Sequence, residues 1–183
     1  MKVLALNASP RTDGMSKTRL MLDALTEGMR DAGAEVDVVN LREKKISTCR
    51  GCMCCWTKTP GVCVLKDDMT MDLYPRWLDS DLAVYAFPLY HFTLNADMKA
   101  FVERTLPAIQ PFFIAIGNET IHPLRGRHPR IVFLSVAGFP ERSVFDQLSS
   151  WARFIYGRFG GLAAEIYRPM SEGLVLPSLK RAS

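Results

Sequence analysis

With 183 residues, 48% of them hydrophobic and 23% charged, the chain has the size and composition of one soluble domain, and we expect residues 1–183 to form a single core without disulfide support. The formal net charge of +4 comes without a basic run interleaved with aromatic residues, which argues against nucleic-acid binding. No apolar stretch reaches the ~20 residues of a membrane span and no signal-peptide core precedes the first strand, so we expect a cytoplasmic protein that does not bind membranes.

The first elements are a strand, a polar loop and a helix. Residues 2–6 are an apolar run of the length typical of a buried parallel strand. The loop after it is rich in hydroxyl groups. A helix is predicted from about 16 to 32, where Gly33 closes it. Its apolar positions return at roughly one-turn spacing and are Leu20, Leu22, Leu25 and Met29.

The junction of this loop and helix predicts an anion site. The first turn of a helix presents unpaired N–H groups, and its dipole favours negative charge. Ser9, Ser16 and Thr18 add hydroxyl donors, Arg11 can add positive charge, and Gly14 lets the backbone curl closely. The loop has neither the Gly-Lys-Ser/Thr end of a Walker loop nor a GxGxxG pattern, so it suits a phosphate monoester bound without Mg²⁺. The alternative is an ordinary β–α turn with Ser16 as N-cap.

The rest of the chain alternates strands with helices. Residues 42–68 show no period, residues 107–129 are weakly patterned, and the tail with Pro169, Gly173 and Pro177 is expected to be irregular. Pro75 is expected to distort the helix that contains it. The predicted elements are an edge strand at 35–41, a helix from about 67 with Met69, Leu73 and Trp77 on one face, a buried strand at 81–87, a helix at 95–106, a strand at 130–136, a helix at 143–158 and a strand at 162–167.

Two blocks of this sequence resemble the flavodoxin-like NAD(P)H-dependent FMN reductase family. Residues 7–18 contain Asn-x-Ser-Pro-Arg followed by Gly-x-Ser-x-Thr, which is similar to the family's FMN phosphate loop. Residues 87–104 resemble its Pro-x-Tyr loop and the helix with Met-Lys-x-Phe-x-Asp/Glu-Arg. Together with the cysteine block described below, the resemblance covers about the first 105 residues, and the remainder fits in pattern only.

The alternation of strands and helices predicts an α/β fold with a parallel sheet covered by helices on both faces. Five such units resemble a flavodoxin-like, doubly wound five-stranded sheet of order 2-1-3-4-5. In that topology a ligand lies at the carboxyl ends of strands one, three and four. The loops that would form the site are 7–16, 88–95 and 136–142.

The resemblance implies that the residues after strand three wrap the flavin ring, with Tyr90 close to it. Alternatively, Tyr90 and Phe92 cap the core and His91 is a surface residue rather than a general acid. No catalytic residue is predicted, because the cofactor would carry the chemistry. The candidate cofactor-binding residues, with Ala137 and Gly138 added by position alone, are Ser9, Arg11, Gly14, Ser16, Lys17, Thr18, Pro88, Leu89, Tyr90, His91, Phe92, Thr93, Ala137 and Gly138.

All five cysteines lie in the loop at about 47–68, and in a reducing compartment we do not expect structural disulfides. Cys49, Cys52, Cys55 and Cys63 supply four thiolates at short spacing, which suits a 4Fe–4S cluster. This spacing resembles the compact cysteine motif of the iron–sulfur flavoproteins, with Cys54 as an extra thiol. Three alternatives stay open: a zinc site, a redox-active pair of Cys52 and Cys55, and unmetallated thiols as in reductases that resemble this loop without carrying a cluster.

The expected function is that of an FMN-dependent NAD(P)H oxidoreductase that passes hydride to FMN and on to a second, small-molecule acceptor. The alternative is an iron–sulfur flavoprotein with FMN and a 4Fe–4S cluster in ferredoxin-linked electron transfer. A non-enzymatic flavin- or zinc-binding regulatory module ranks last. The resemblance also implies a homodimer or homotetramer, for which Phe112, Phe113 and the predicted helix at 143–159 are interface candidates.

Overall fold

The structure is a computed structural model that describes residues 1–11 and 14–175. Residues 12 and 13 of the phosphate loop, and Pro177 in the predicted irregular tail, lie outside the described residues. The strands are β1 (Lys2–Asn7), β2 (Glu35–Asn40), β3 (Leu82–Pro88), β4 (Ile114–Ile116), β5 (Glu119–Ile121), β6 (Arg130–Val136) and β7 (Leu162–Arg168). The α-helices are α1 (Lys17–Asp31), α2 (Tyr74–Asp79), α3 (Ala96–Glu103) and α4 (Asp146–Tyr156).

Five of the strands form one parallel sheet in the order β2-β1-β3-β6-β7. Once the separate β4–β5 hairpin is left out of the count, this is the order 2-1-3-4-5, so the predicted flavodoxin-like topology is confirmed. β2 lies at an edge and its burial alternates, also as predicted. β3 lies at the centre and is buried on both faces, which explains its uninterrupted apolar sequence.

Helices cover both faces of the sheet. On one face Leu22 of α1 packs with alternate residues of β1, β3 and β6, among them Val3, Val84 and Leu134. On the other face the core takes Trp77 of α2, together with Phe101, Leu148, Tyr85 and Phe133. Leu20 is 43% exposed because it lies only two positions before Leu22 and therefore on a different side of α1, contrary to the predicted stripe.

Pro75 does distort its helix. The predicted helix begins as a π-helical turn at Met69–Leu73, in which Tyr74 N–H bonds to the Met69 carbonyl, and then continues as α2. Pro75 has no N–H to donate to an i−4 carbonyl, which accounts for a wider turn at this point. Met69, Leu73 and Trp77 are all buried, as predicted.

Two other helices are shorter than predicted. α3 ends at Glu103, and Pro107 lies in a separate 3₁₀ turn at Leu106–Ala108. α4 is preceded by a 3₁₀ turn at Arg142–Phe145 and followed by another at Gly157–Phe159. Within residues 1–11 and 14–175, no helix has the length and the apolar character that a membrane span requires.

The weakly patterned segment at 107–129 forms an antiparallel hairpin on the surface rather than an extension of α3. Strands β4 and β5 pair from Ile114 opposite Ile121 to Ile116 opposite Glu119. Gly117 adopts φ 59° in the turn, a conformation that glycine allows without a steric penalty. Every residue of β4 is exposed although all three are apolar.

Candidate functional site

Three loops meet in a cleft at the carboxyl edge of the sheet. They follow β1, β3 and β6, as the topology predicts, and the cleft has a volume of about 190 Å³. Most of the candidate residues named above contribute to its wall. The lining residues are Ser9, Pro10, Arg11, Ser16, Lys17, Thr18, Pro88, Leu89, Tyr90, Val136, Ala137, Gly138, Ser171 and Glu172.

Ser16 and Ser9 form a buried hydroxyl pair at the start of α1. Ser16 has an extended backbone (φ −75°, ψ 106°), and its Oγ accepts a hydrogen bond from Arg19 N–H at 3.1 Å, so it is the N-cap. The Ser16 hydroxyl donates to Ser9 Oγ at 2.7 Å. Ser9 N–H in turn donates to Asn7 Oδ1 at 3.1 Å, which holds the loop against the end of β1. The two interpretations of this loop, a helix N-cap at Ser16 and an anion site, therefore involve the same atoms and do not exclude each other.

Lys17 places a buried cation in the same cleft. Its side chain is only 8% exposed, and its Nζ lies 2.6 Å from Glu172 Oε2. The hydrogen bond from Lys17 lowers the pKa of the Glu172 carboxyl, with a further contribution from the positive charge of Arg11. The buried ammonium group of Lys17 is paired with an exposed carboxylate. An anionic ligand can take the place of that carboxylate, and the ammonium group then still has a negative partner.

The segment after β7 forms a wall of the cleft that the sequence analysis missed. Met170 N–H donates to the Phe139 carbonyl at 2.8 Å, and Ser171 N–H donates to the Ala137 carbonyl at 2.9 Å. Ser171 is 2% exposed and Glu172 faces the cleft. No periodicity or motif marks this segment, so only the tertiary contacts reveal its position.

The loop after β3 carries a tight turn with unusual backbone angles. Tyr90 and Thr93 exchange two backbone hydrogen bonds of 3.2 and 3.0 Å. Between them His91 and Phe92 have φ of 47° and 61°, which is uncommon for large side chains and costs on the order of 1 kcal/mol each. Tyr90 and Phe92 are 49% and 47% exposed, so they do not cap the core.

The structure leaves four candidate residues off the wall of the cleft. His91, Phe92 and Thr93 lie in the turn beyond Tyr90 and do not line the cleft. Gly14 (φ 73°) lines a neighbouring pocket of about 230 Å³ together with the side chains of Arg19 and Arg42. Ser9, Arg11 and Ser16 line both this pocket and the cleft, so the predicted cofactor loop borders the two spaces.

Asn95 ties two of the loops together. It is the N-cap of α3, with its Oδ1 accepting from Met98 N–H, and its Nδ2 donates to the Ala8 carbonyl at 2.5 Å. Asn95 is 5% exposed. The end of β1 and the start of α3 are therefore fixed relative to each other next to the cleft.

The four predicted cysteine ligands surround one small cavity. Cys49, Cys52, Cys55 and Cys63 line a space of about 20 Å³ beside the C-terminal end of α3, and Cys54 does not line it. All five thiols are free. Among the described residues, no group of three or more Cys, His, Asp or Glu side chains is arranged to hold a single metal ion. Burial raises the pKa of the Cys55 thiol, whereas backbone hydrogen bonding at Cys54 lowers the pKa of the Cys52 thiol.

A buried ion pair joins the end of α3 to both ends of the cysteine loop. Arg104, at the C-terminal end of α3, donates from NH1 to Asp67 Oδ2 at 2.8 Å and from NH2 to Asp67 Oδ1 at 3.0 Å. Both side chains are at most 2% exposed. Arg104 also donates to the Ser47 carbonyl at 2.7 Å. Burial raises the pKa of Asp67, but the bonds from Arg104 and from the N–H groups of Ser47 and Thr70 hold it well below its usual range.

Known proteins resemble this chain in sequence and in fold. The model of the NADPH-dependent FMN reductase family matches residues 1–138. An iron–sulfur flavoprotein of Archaeoglobus fulgidus is 38% identical over 107 residues, which are 58% of this chain and 46% of that protein. The chain thus spans about half the length of the curated relatives that it matches.

Solved structures with the same fold include two reductases. An azoreductase from Bacillus anthracis superposes with a TM-score of 0.67 at 15% identity, covering 99% of this chain and 92% of the other. An NAD(P)H:quinone oxidoreductase from Methanothermobacter marburgensis superposes with a TM-score of 0.66 at 19% identity, covering 100% and 94%. At such low identity these likenesses establish the fold alone.

Proposed function

Because the chain belongs to the NADPH-dependent FMN reductase family, we propose that it is an FMN-dependent NAD(P)H oxidoreductase. The observation that carries this proposal is the cleft at the carboxyl edge of the sheet, where buried hydroxyls and a buried ammonium group converge on the N-terminus of α1. That donor set is the one that a phosphate monoester requires.

The residues of the cleft divide into two groups by their chemistry. Ser9, Ser16, Thr18, Lys17 and Arg11 would hold the phosphate through hydroxyl, ammonium and guanidinium donors. The residues that would hold the ring are Pro88, Leu89, Tyr90, Ala137 and Gly138, with His91, Phe92 and Thr93 in the adjoining turn and Gly14 shaping the phosphate loop.

When bound, FMN supplies the hydride-accepting and electron-passing chemistry, and the protein supplies binding and orientation. The exposed side chains of Tyr90 and Phe92 offer an apolar surface beside the cleft for a flat co-substrate. We assign no general acid or base, in line with the sequence expectation.

We further propose reduced nicotinamide as the electron donor and a small flat molecule as the acceptor. The names of the structural neighbours, an azoreductase and a quinone oxidoreductase, support this acceptor class. We retain the expectations of a single domain over residues 1–183, of a homodimer or homotetramer and of a cytoplasmic location, where the five free thiols suit a reducing compartment.

Flavin binding and turnover test this function directly. The purified protein should quench FMN fluorescence on titration and should then oxidise NADH or NADPH in the presence of 2-methyl-1,4-naphthoquinone. The ratio of the two turnover rates identifies the donor. A protein that binds no flavin, or that binds it without oxidising either nicotinamide, contradicts the proposal.

A second candidate function is supported by the arrangement of the cysteines, which would have to move apart to admit a cluster, since the space of about 20 Å³ between them is of the order of one water molecule. We propose that Cys49, Cys52, Cys55 and Cys63 hold a 4Fe–4S cluster that exchanges electrons with a ferredoxin-like protein. The same four thiols that the spacing selects line one cavity, whereas Cys54 lies outside it. In a cluster each iron takes one thiolate, so the sulfur atoms surround the cluster and do not converge on one point as they do around a zinc ion. The relative from Archaeoglobus fulgidus is named an iron–sulfur flavoprotein, which also supports this candidate.

Metal analysis of the wild type and of two single variants tests whether these four cysteines hold a cluster. After anaerobic purification we expect about four irons and four sulfides per chain. Cys63→Ala should lose the iron and keep FMN, whereas the matched variant Cys54→Ala should keep both. Full iron content in Cys63→Ala contradicts the ligand assignment. Zinc in place of iron, or no metal at all, contradicts the cluster and leaves the flavin reductase to be tested by turnover alone.

A further inference from the structure

The segment after β7 is held in a fixed position beside the cofactor cleft. The hydrogen bonds of Met170 to Phe139 and of Ser171 to Ala137 attach it to the loop after β6. Met170 has a left-handed backbone (φ 50°), which turns the chain toward the cleft. Glu172 therefore reaches the cleft as part of an anchored wall and not as a chance contact of a loose strand.

Lys17 requires a negative partner in this position. It is the first residue of α1, where the helix dipole disfavours a positive charge. Its side chain is 8% exposed, and burial of an unpaired ammonium group is costly. The carboxylate of Glu172, at 2.6 Å, meets this requirement while its own side chain stays 62% exposed.

The same position on Lys17 is the one that a phosphate would take. Lys17, Ser9, Ser16 and Thr18 line one cleft, and Glu172 lines it too. Glu172 thus brings a negative charge into a site whose other polar side chains can all donate hydrogen bonds. An incoming phosphate meets both the attraction of Lys17 and the repulsion of this carboxylate.

We propose that Glu172 is a built-in competitor for the phosphate of the flavin and determines how tightly the cleft holds it. In the cofactor-free protein Glu172 is the counter-ion of Lys17, and on binding the phosphate takes its place while the exposed carboxylate turns to water. The inference rests on the proposed function, because it takes the phosphate of FMN as the anion. It assigns to the segment after β7 a role that no motif indicates.

The test compares FMN with riboflavin, which has the same ring and no phosphate. Dissociation constants are measured by flavin fluorescence for the wild type and for Glu172→Gln, which removes the charge and keeps the shape. We expect Glu172→Gln to bind FMN about 3- to 10-fold more tightly, since one partly exposed ion pair no longer competes. Riboflavin binding should change less than about twofold.

Two controls separate competition from a structural effect. Glu141→Gln removes a neighbouring carboxylate that does not line the cleft, and it should alter neither constant. In a Lys17→Met background, Glu172→Gln should no longer tighten FMN binding. An unchanged or weaker FMN affinity in Glu172→Gln overturns the proposal, and so does an equal change for FMN and riboflavin.

Inorganic phosphate gives a readout that does not depend on flavin. In the flavin-free protein, phosphate should raise the Tm of Glu172→Gln more than that of the wild type. If neither flavin binds the wild type but this difference in Tm is present, the proposed function and the competition with FMN both fail, and only competition between Glu172 and inorganic phosphate stands. If both flavins bind and the difference is absent, the competition fails and the proposed function stands.

Discussion

Ser16 performs two tasks with one oxygen atom. It caps α1 by accepting from Arg19 N–H, and it donates to Ser9 Oγ at the edge of the cleft. Thr18, two positions later, is 2% exposed and lines the same cleft. Stability of the helix and binding of an anion therefore depend on the same few residues.

Removal of both hydroxyls should weaken FMN binding. We expect Ser16→Ala combined with Thr18→Ala to raise the dissociation constant about 10- to 100-fold, because Thr18 no longer donates to the phosphate and Ser9 loses the hydroxyl group that donates to its Oγ in the cleft. Loss of the cap should also lower the free energy of unfolding by about 1 kcal/mol. Flavin titration and urea unfolding of the same preparation measure the two effects. Unchanged flavin affinity would place the phosphate elsewhere.

At the residue scale, sequence predicts what is local and misses what is distant. Ser9, Ser16 and Thr18 could be selected because hydroxyl residues beside a predicted helix start have a specific chemistry. Glu172 could not be selected, because its partner Lys17 lies 155 positions away and nothing near it indicates a turn toward the cleft. The turn in which His91 and Phe92 take positive φ, between the exposed side chain of Tyr90 and Thr93, likewise could not be predicted from composition.

At the scale of elements, the buried pair of Arg104 and Asp67 joins α3 to the base of the cysteine loop. Arg104→Met should lower the free energy of unfolding by about 3–5 kcal/mol, because it leaves a buried carboxylate without its partner. Chemical denaturation at pH 7 measures this loss. The matched control is Arg153→Met, which breaks the pair with Glu165 in which Arg153 is 70% exposed, and it should cost less than about 1 kcal/mol.

The same pair gives the stability a defined pH dependence. The pKa of Asp67 is lowered in the folded protein, so the stabilisation is fully present above the pKa of the unfolded carboxyl, about 4. It is lost as the pH falls from there through the lowered pKa. The difference in unfolding free energy between the wild type and Arg104→Met should therefore shrink below about pH 4. A constant difference down to pH 3 would show that the pair is not the cause.

Helices and strands were predictable where a single local signal, such as an apolar run or a proline, determined them. The strands of the main sheet were predicted from apolar runs between helices, and the distortion of one helix was predicted from Pro75. The β4–β5 hairpin was not predicted, because its apolar residues are exposed and its strands of three residues are too short for a period. α3 was predicted to end at 106 but ends at Glu103. The chain then enters the 3₁₀ turn that contains Pro107, and such helix ends are the least predictable part of an element.

At the scale of the whole molecule, the hairpin and the two residues before it expose several apolar side chains close together in the sequence. Phe112 and Phe113 are 55% and 66% exposed, and Ile116 at the tip of β4 is 49% exposed. A two-stranded hairpin is marginal on its own, and contiguous exposed apolar residues often mark an interface. These observations agree with the expectation that Phe112 and Phe113 contact a second copy.

A charge on this surface should therefore shift the protein toward the monomer. We expect Phe113→Asp to reduce the mass measured by light scattering at micromolar concentration, because a carboxylate would be buried in the interface. Met71→Asp alters an equally exposed apolar residue of the π-helical turn and should leave the mass unchanged. A wild type that is monomeric, or a Phe113→Asp variant of unchanged mass, would remove the hairpin from the list of interfaces.

The alternation of strands and helices predicted a parallel sheet with helices on both faces. The order of the strands came from the resemblance to the flavodoxin-like family, because right-handed crossovers also allow other doubly wound orders, and the observed order β2-β1-β3-β6-β7 agrees with it. The position of the cleft followed from that order, since it depends on where the strand order reverses. The fourth wall depends on the segment after β7, which has no place in that scheme.

The contact between Lys17 and Glu172 also has a consequence for the order of assembly. A ribosome releases the loop after β1 more than 150 residues before the segment after β7, since Lys17 and Glu172 lie 155 positions apart. The central strands can pair before that segment emerges, but the cleft gains its last wall only afterwards. A protease that cuts between β7 and residue 170 would in the same way leave the sheet intact and release Lys17 from its counter-ion. Cleavage at this point would therefore change the charge environment of Lys17 in the cleft without unfolding the sheet.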